Sequence, residues 1–303
     1  MIGNHTIKAW LIAARPWSFP ASSMPVVASA TYLYWLEASP DWLMALWVLV
    51  TIVIFHAAGN TWSDYNDFKK GVDRADTIGG TSITSGEFDR NEIKGFSFLL
   101  LGTGAVSGLI MAYVAGLPIL YFGLAGFVLT ILYPWLKYRA LGDVDIFLTY
   151  SLLPLLGTSY ALTGSIHWEV CWLALPIGLI TVGILHVNNM RDVKHDKRAE
   201  IVTFAMKAGA QKSAIIYSFE LLFPFVAVVV CTIYGIFPAV SLMALAALKI
   251  AWENSSRVLL SLGEGTEKLI GLDEKSAQLQ LVFSLLLSIS FIIAGFLRNN
   301  PIF

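Results

Sequence analysis

Nine apolar stretches, each close to the length that crosses a bilayer, constrain this chain more than anything else in it. A spanning helix needs about 20 mostly apolar residues, and such runs lie near 18–36, 42–64, 95–115, 118–136, 144–163, 170–189, 212–233, 236–253 and 278–297. Ala115, Gly116 and Leu117 separate the third from the fourth, and Tyr234-Gly235 the seventh from the eighth. Pro118 and Pro238 follow at positions suited to a helix restarting. With 56% hydrophobic and 14% charged residues and a mean hydropathy of +0.68, the 303 residues carry more apolar surface than a water-soluble core requires. The expected fold is all-α: a polytopic membrane protein with nine transmembrane helices around a central cavity, forming one domain over 1–303. The first residues, MIGNHTIKAWLIAARPW, lack a small-residue cleavage site after a short apolar core, so no secretory signal is expected.

The basic residues orient the spans. Lys8 and Arg15 precede the first; Lys69, Lys70, Arg74, Arg90 and Lys94 follow the second; Lys137 and Arg139 follow the fourth. Arg191, Lys194, Lys197, Arg198, Lys207 and Lys212 follow the sixth, and Lys249, Arg257, Lys268 and Lys275 lie at or after the end of the eighth. The opposite loops, near 37–41, 115–117, 164–169 and 234–235, contain neither Lys nor Arg, and only Arg298 falls on that side. By the positive-inside rule the N-terminus and the long loops, about 65–94 and 190–211, belong in the cytoplasm. Because the charges are segregated in this way, the formal net charge of -1 says little about partners, and nothing in the pattern calls for nucleic acid.

Acidic residues collect at two helix ends on that cytoplasmic side. Asn60 and Asp64 are four residues apart and share a helix face; Asp67 continues it, and Asp73 follows once Gly71 has let the chain turn. Asn188, Asp192 and Asp196 repeat the spacing, and KK at 69–70 is echoed by KR at 197–198. This short internal repeat suggests two halves that bring equivalent helix ends to one cavity. Carboxylate and amide oxygens are hard ligands suited to Mg²⁺, which typically completes its shell with phosphate oxygens and water. The expected metal ligands are therefore Asp64, Asp67 and Asp73 in one set and Asp192 and Asp196 in the other, assisted by Asn60 and Asn188. Interleaved Lys and Arg suit a diphosphate clamped through metal ions. The plainer alternative is a pair of solvated charged loops; matched spacing, side and helix-end position argue against it.

The stretches ARPWSFPASSMPV at 14–26, SDYNDFKKGVD at 63–73, YPWLKYRALGD at 133–143, NNMRDVKHD at 188–196 and LQLVFSLLL at 279–287 resemble the UbiA-type intramembrane aromatic prenyltransferases. The resemblance covers nearly the whole chain and leans toward the branch acting on 1,4-dihydroxy-2-naphthoate. It implies Mg²⁺-dependent transfer of a polyprenyl group from its diphosphate to an aromatic small-molecule acceptor, with loss of the naphthoate carboxylate, to give demethylmenaquinone and diphosphate. It also implies a prokaryotic inner membrane, with the site open to the cytoplasm and the isoprenoid tail in membrane lipid. On this reading Asp64, Asp67, Asp192 and Lys137 are catalytic, while Asn60, Asn188, Tyr133, Arg139, Lys70 and Arg191 bind substrate. Tyr133-x3-Lys137 matches a YxxxK element of the superfamily. Two departures stand out: Ser63 occupies a place where many relatives have Asn, and AEIVTF at 199–204 replaces a Gly-Lys-containing continuation of the second motif, leaving Lys197, Arg198 or Lys207 to take over any phosphate contact.

Aromatic faces can stabilise an allylic cation, and Trp62, Tyr65, Phe68, Tyr133, Tyr138 and Tyr150 are candidate walls, although Trp and Tyr also populate membrane interfaces. His56 and His186 read as packed, hydrogen-bonded helix histidines, since neither sits at a zinc spacing. Cys171 and Cys231 read as apolar-segment residues without metal or disulfide spacing. The GGTSITSGEFDR loop at 79–90 reads as a flexible lid. A secondary transporter is the rival class, but its ionisable groups belong at mid-membrane rather than at helix ends. The acceptor alternatives within the family are 4-hydroxybenzoate, homogentisate, a chlorophyllide or a glycerol phosphate lipid. Donor length, the acid that serves as base, and oligomeric state are not encoded legibly.

Overall fold

In the computed structural model, which describes residues 5–74, 76–77 and 81–299, the chain is helical, and the one β-type pairing among those residues is an isolated bridge between Arg139 and Val202. The α-helices are α1 Ile7–Ala13, α2 Pro20–Trp35, α3 Trp42–Lys70, α4 Arg90–Ala115, α5 Pro118–Lys137, α6 Gly142–Thr163, α7 Cys171–Arg191, α8 Val193–Arg198, α9 Phe204–Ala208, α10 Ala210–Ile233, α11 Leu248–Glu264 and α12 Leu272–Asn299. Local chemistry sets several boundaries. The Asp41 carboxylate caps α3 by accepting from Leu43 and Met44 N–H at 2.9 and 3.0 Å. A capping box of Asp89 and Glu92 starts α4, satisfying donors that a helix start leaves unpaired. At the other end of α3, Gly71 adopts the left-handed conformation (φ 78°) that glycine reaches without steric penalty. That turn returns the chain toward the site.

Among the described residues, seven helices are long and apolar enough to cross a membrane. The two other expected spans are helical but depart from that form. α2 has 16 residues, about 24 Å of rise: Pro20 starts it, and Glu37 and Ser39, both at positive φ, turn the chain before Pro40. In the 236–253 stretch, Pro238 leads into a 3-10 segment, Ala239–Ala247, which continues as α11 to Glu264.

Burial sorts the helices around the site. Only 17% of the apolar window of α4, and of α5, is buried, against 67% for the Trp168–Arg191 span that contains α7. α4 therefore leaves Phe98, Leu99, Val106 and Leu109 exposed, and the span that contains α7 is the most enclosed of the seven. Helices in lipid associate through close packing and interhelical hydrogen bonds. A Cβ at Gly178 of α7 would lie 2.7 Å from Ser151 Oγ and from the Phe147 ring of α6, and Ser151 Oγ donates to the Ala174 carbonyl at 2.8 Å. Adding that methyl would cost about 1–3 kcal/mol of overpacking. Leu148–Leu152 of α6 form a π turn, a local widening often found at functional sites; it includes Thr149 and Tyr150, both cavity-lining residues.

Candidate active site

Both aspartate loops reach one cavity of about 480 Å³. Its walls include Asn60, Ser63, Asp67 and Asp73 from the first motif, Tyr133 and Lys137 from α5, and Asn188, Arg191, Asp192 and Asp196 from the second. The expectation that the repeated spacing brings two helix ends together therefore holds in space. A smaller cavity of about 130 Å³, lined by Val48, Phe55, Met111, Phe122, Phe127 and other largely apolar residues, shares His56, Thr130, Thr149 and Tyr150 with it. A polar chamber thus adjoins an apolar one.

Asp67 is the most connected carboxylate of the chamber wall. It accepts from Lys137 Nζ at 2.9 Å, Tyr138 Oη at 2.8 Å and Ser63 Oγ at 3.2 Å. Ser63, the departure from the family pattern, therefore supplies a hydroxyl to Asp67. Burial and then Asp67 raise the pKa of Tyr138, which keeps its proton in that bond. Asp73 lies beyond the Gly71 turn; burial, followed by the charge of Asp67, pushes its carboxyl from 3.8 to about 6 against the opposing pull of Lys137 and Arg15. Burial likewise pushes Asp196 to about 7, opposed chiefly by Lys137. Asp196 Oδ2 and Asn188 Oδ1 are buried without hydrogen-bond partners, acceptors that buried polar chemistry ordinarily satisfies. Asp192 is held by Arg191 in a two-bond fork, 2.8 Å on each arm, while Arg191 Nη1 reaches Asp273 at 3.2 Å.

Three expected site residues are placed otherwise. Asp64 is absent from the cavity wall; it is buried behind that wall as the partner of Arg15. Arg139 is exposed, lies over the Trp135 ring with its guanidinium carbon 4.1 Å from the centroid, and donates to the Trp135 carbonyl. Lys70 is exposed in the last turn of α3, where a cation complements the helix dipole, and neither it nor Arg139 lines the cavity. Asn60 is on the wall, with its Nδ2 donating to the Ala14 carbonyl and Ser18 Oγ at 2.9 and 3.0 Å. Of the candidate aromatic walls, Tyr133 and Tyr150 face the cavity. Trp62 bonds the Ile131 carbonyl and stacks on Tyr65, Phe68 packs in the cluster of Ala9 and Phe88, and Tyr138 serves Asp67.

Sequence reasoning passed over Arg15, Asp145 and Asp273 as site residues. Arg15 adopts a left-handed backbone (φ 58°) between α1 and the Pro16–Ser18 turn; in the sequence it bears on topology and on the 14–26 resemblance, without a role in the site. Asp145 lines the chamber with Oδ1 buried and unpartnered; an acid early in an apolar span was the available signal. His56 bridges Ser22 at 2.8 Å and Ser18 at 3.2 Å, as a packed histidine should. The altered 199–204 segment is a strap: Val202 N–H donates to the Tyr138 carbonyl, and Ile201 and Ala199 pack with Val72. Lys197, Arg198 and Lys207 are exposed and do not line the cavity; Arg198 instead clasps Asp76 at 2.7 and 3.0 Å, joining the two loops and holding the Asp76 carboxyl below its usual range. Of the expected lid, Gly79 and Gly80 lie outside the described residues.

The helices thus set an acid- and base-lined chamber beside an apolar one, with His56, Thr130, Thr149 and Tyr150 common to both walls. Residues 22–261 match the UbiA prenyltransferase family, and the chain belongs to that family. It is 33% identical over 246 residues to UbiA prenyltransferase domain-containing protein 1 of Danio rerio, covering 78% of this chain and 72% of that protein. In fold it is similar to the apo structure of a UbiA homolog from Aeropyrum pernix K1 (TM-score 0.66, 13% identity, 89% of this chain and 97% of that one). It is also similar to a UbiA homolog from Archaeoglobus fulgidus bound to DMAPP and Mg²⁺ (TM-score 0.60, 11% identity, 92% and 99%).

Proposed function

We propose that this chain transfers a polyprenyl group from polyprenyl diphosphate to an aromatic acceptor, 1,4-dihydroxy-2-naphthoate with loss of its carboxylate, releasing diphosphate and carbon dioxide and leaving demethylmenaquinol, the hydroquinone that a separate oxidant converts to demethylmenaquinone. The observation that carries the reading is the paired chamber: aspartates of both motifs, Lys137 and Arg191 line one cavity that shares its wall with an apolar lobe. The whole of 1–303 acts as one domain of nine spans in a prokaryotic inner membrane, with the N-terminus and the polar chamber on the cytoplasmic side. A diphosphate then enters from water while its tail stays among apolar side chains.

The donor set fits Mg²⁺. Asp73, Asp192 and Asp196 supply hard carboxylate oxygens, and the unpartnered Asp196 Oδ2 and Asn188 Oδ1 are free to ligate. Asp67 completes the set from the α3 side, and Asp64 joins it only on release from Arg15. When bound, the metal neutralises charge building on the departing diphosphate. Lys137 stands against Asp67 at the chamber wall and offers its remaining N–H donors to phosphate oxygens. Arg191 fixes Asp192, and through Asp273 it ties the second motif to α12. Tyr133 and Tyr150 present aromatic surface to the allylic cation and help to exclude water. Asp145, with its free Oδ1, takes the acceptor's phenolic proton, which makes the ring a stronger carbon nucleophile.

Purified protein given a polyprenyl diphosphate, the naphthoate and Mg²⁺ should release diphosphate and form the prenylated, decarboxylated product, and EDTA should stop both. No diphosphate release would overturn the enzyme reading and revive the transporter. A panel of hydroxybenzoate, homogentisate, chlorophyllide and glycerol phosphate acceptors against one labelled donor tests the acceptor.

A further inference from the structure

A second group of ionisable side chains lies outside both chambers. Asp143 of α6, His186 of α7 and Glu220 of α10 bring a carboxylate oxygen, an imidazole nitrogen and a second carboxylate oxygen within 4.8 Å of one another. It is the one such convergence of three ligating side chains among the described residues. None of the three lines the chambers described above. His186 is fully buried, with Nδ1 at 3.0 and 3.1 Å from the two Glu220 oxygens, while its Nε2 has no partner. Both oxygens of Asp143 are shut off from solvent and equally unpartnered. The Phe204 ring of α9 covers His186 edge-on at 5.6 Å.

With both carboxyls ionised, this group carries a net negative charge even when the imidazole is protonated, and an uncompensated buried charge is costly. A divalent cation with a neutral imidazole would balance the group. One nitrogen and two oxygens form a borderline donor set that favours zinc over the all-oxygen preference of Mg²⁺. Bonds of about 2.0–2.2 Å place ligand atoms roughly 3–3.5 Å apart, so ligands already within 4.8 Å need only a modest contraction. We infer that Asp143, His186 and Glu220 form a zinc site distinct from the diphosphate chamber, clamping α6, α7 and α10 together. This inference is independent of the proposed prenyl transfer.

The test uses the full chain in detergent, loaded with Zn²⁺ and dialysed against excess Mg²⁺ to clear the all-oxygen sites. Elemental analysis should then find about one zinc per chain, with X-ray absorption at the zinc edge reporting one imidazole ligand. Asp143→Asn is the informative variant, because the Asp143 oxygens make no protein hydrogen bond that the change could break; it should weaken zinc retention at least tenfold. His195→Gln, at the histidine that lines the diphosphate chamber, should leave zinc in place. Thermal unfolding with and without Zn²⁺ supplies a second readout: a shift in the starting protein that Asp143→Asn abolishes. Failure to retain zinc, or zinc that survives Asp143→Asn but is lost in His195→Gln, would overturn the site.

Discussion

Arg15 and Asp64, 49 positions apart in sequence, form a hydrogen-bonded ion pair behind the wall of the polar chamber. The pair joins the segment ahead of α2 to the acidic end of α3. The Asp64 charge favours the charged form of Arg15 and raises its pKa against the effect of burial.

Removing the guanidinium leaves Asp64 buried with no other hydrogen-bond partner among the described residues, and breaking a buried pair from one side costs about 3–5 kcal/mol. The Arg15 side chain is 34% exposed, so water replaces part of the loss, and Arg15→Ala is expected to destabilise the protein by about 2–3 kcal/mol. Thermal unfolding in detergent measures this. Arg15→Ala/Asp64→Asn should recover at least half of the lost stability, since the stranded charge is gone. Asp64→Ala and Asp192→Ala should each abolish turnover in folded protein if both motifs serve the reaction.

Asp67 tests the polar chamber by rank. Lys137→Met removes the cation at 2.9 Å and should lower turnover by more than about a hundredfold, because charge stabilisation of this kind is worth several kcal/mol. Tyr138→Phe deletes one bond to a charged acceptor, about 1.5–3 kcal/mol, and Ser63→Ala deletes a longer one. Diphosphate release at saturating Mg²⁺ should fall in the order Lys137, Tyr138, Ser63. Equal effects at all three would remove Lys137 from its separate role.

Asp73 and Asp196 give the metal-free protein a defined pH response. Their carboxyls rise from 3.8 in the unfolded chain to about 6 and about 7 in the fold. A raised acid means that the folded state binds more protons than the unfolded state between those values, so this contribution to stability is complete below about pH 4 and is lost as pH rises toward 7. Mg²⁺ requires both groups ionised, so its stabilising shift should be small at about pH 5.5 and larger at about pH 7.5. Asp73→Asn/Asp196→Asn should flatten both curves. A metal-free Tm that does not fall over this window in the starting protein would contradict the burial argument.

The helical class, most span positions and the meeting of the two aspartate motifs were legible because apolar length and four-residue spacing are local properties. Side-chain direction was not. Arg139 lies two residues beyond Lys137, but the helix ends at Lys137 and Arg139 turns back onto Trp135, while Lys70 ends α3 exposed. Asp64 and Asp67 are three residues apart on one helix, yet one meets Arg15 and the other Lys137, a choice made by segments distant in sequence. His186 reads as a packed histidine in the sequence because Asp143 and Glu220 are 43 and 34 residues away and no linear zinc spacing joins them.

An Asp145 variant tests proton transfer apart from diphosphate binding. It lines the chamber from α6 with Oδ1 unpartnered, so Asp145→Asn changes its proton affinity while keeping its shape. General-base contributions are typically about 10²–10⁴-fold, and the variant should lose turnover in that range while its Mg²⁺-dependent thermal shift stays unchanged. Loss of the thermal shift as well would assign Asp145 to the metal set instead of to the acceptor.

The apolar lobe predicts how donor length is read. Gly123 and Gly126 of α5, three residues apart and so on one helix face, both line it, and a Cβ at either would meet open space within 4 Å. Gly126→Phe adds a ring at a lining position whose Cβ meets no atom within 4 Å. A short donor such as dimethylallyl diphosphate, whose head and first isoprene unit stay in the polar chamber, should keep its KM within about twofold. A geranylgeranyl donor loses lobe contacts at about 0.8 kcal/mol per buried CH₂, so two or more displaced methylenes should raise its KM about tenfold or more. Steady-state kinetics with donors of increasing length checks this, and equal effects on short and long donors would mean that the tail leaves the chamber by another route.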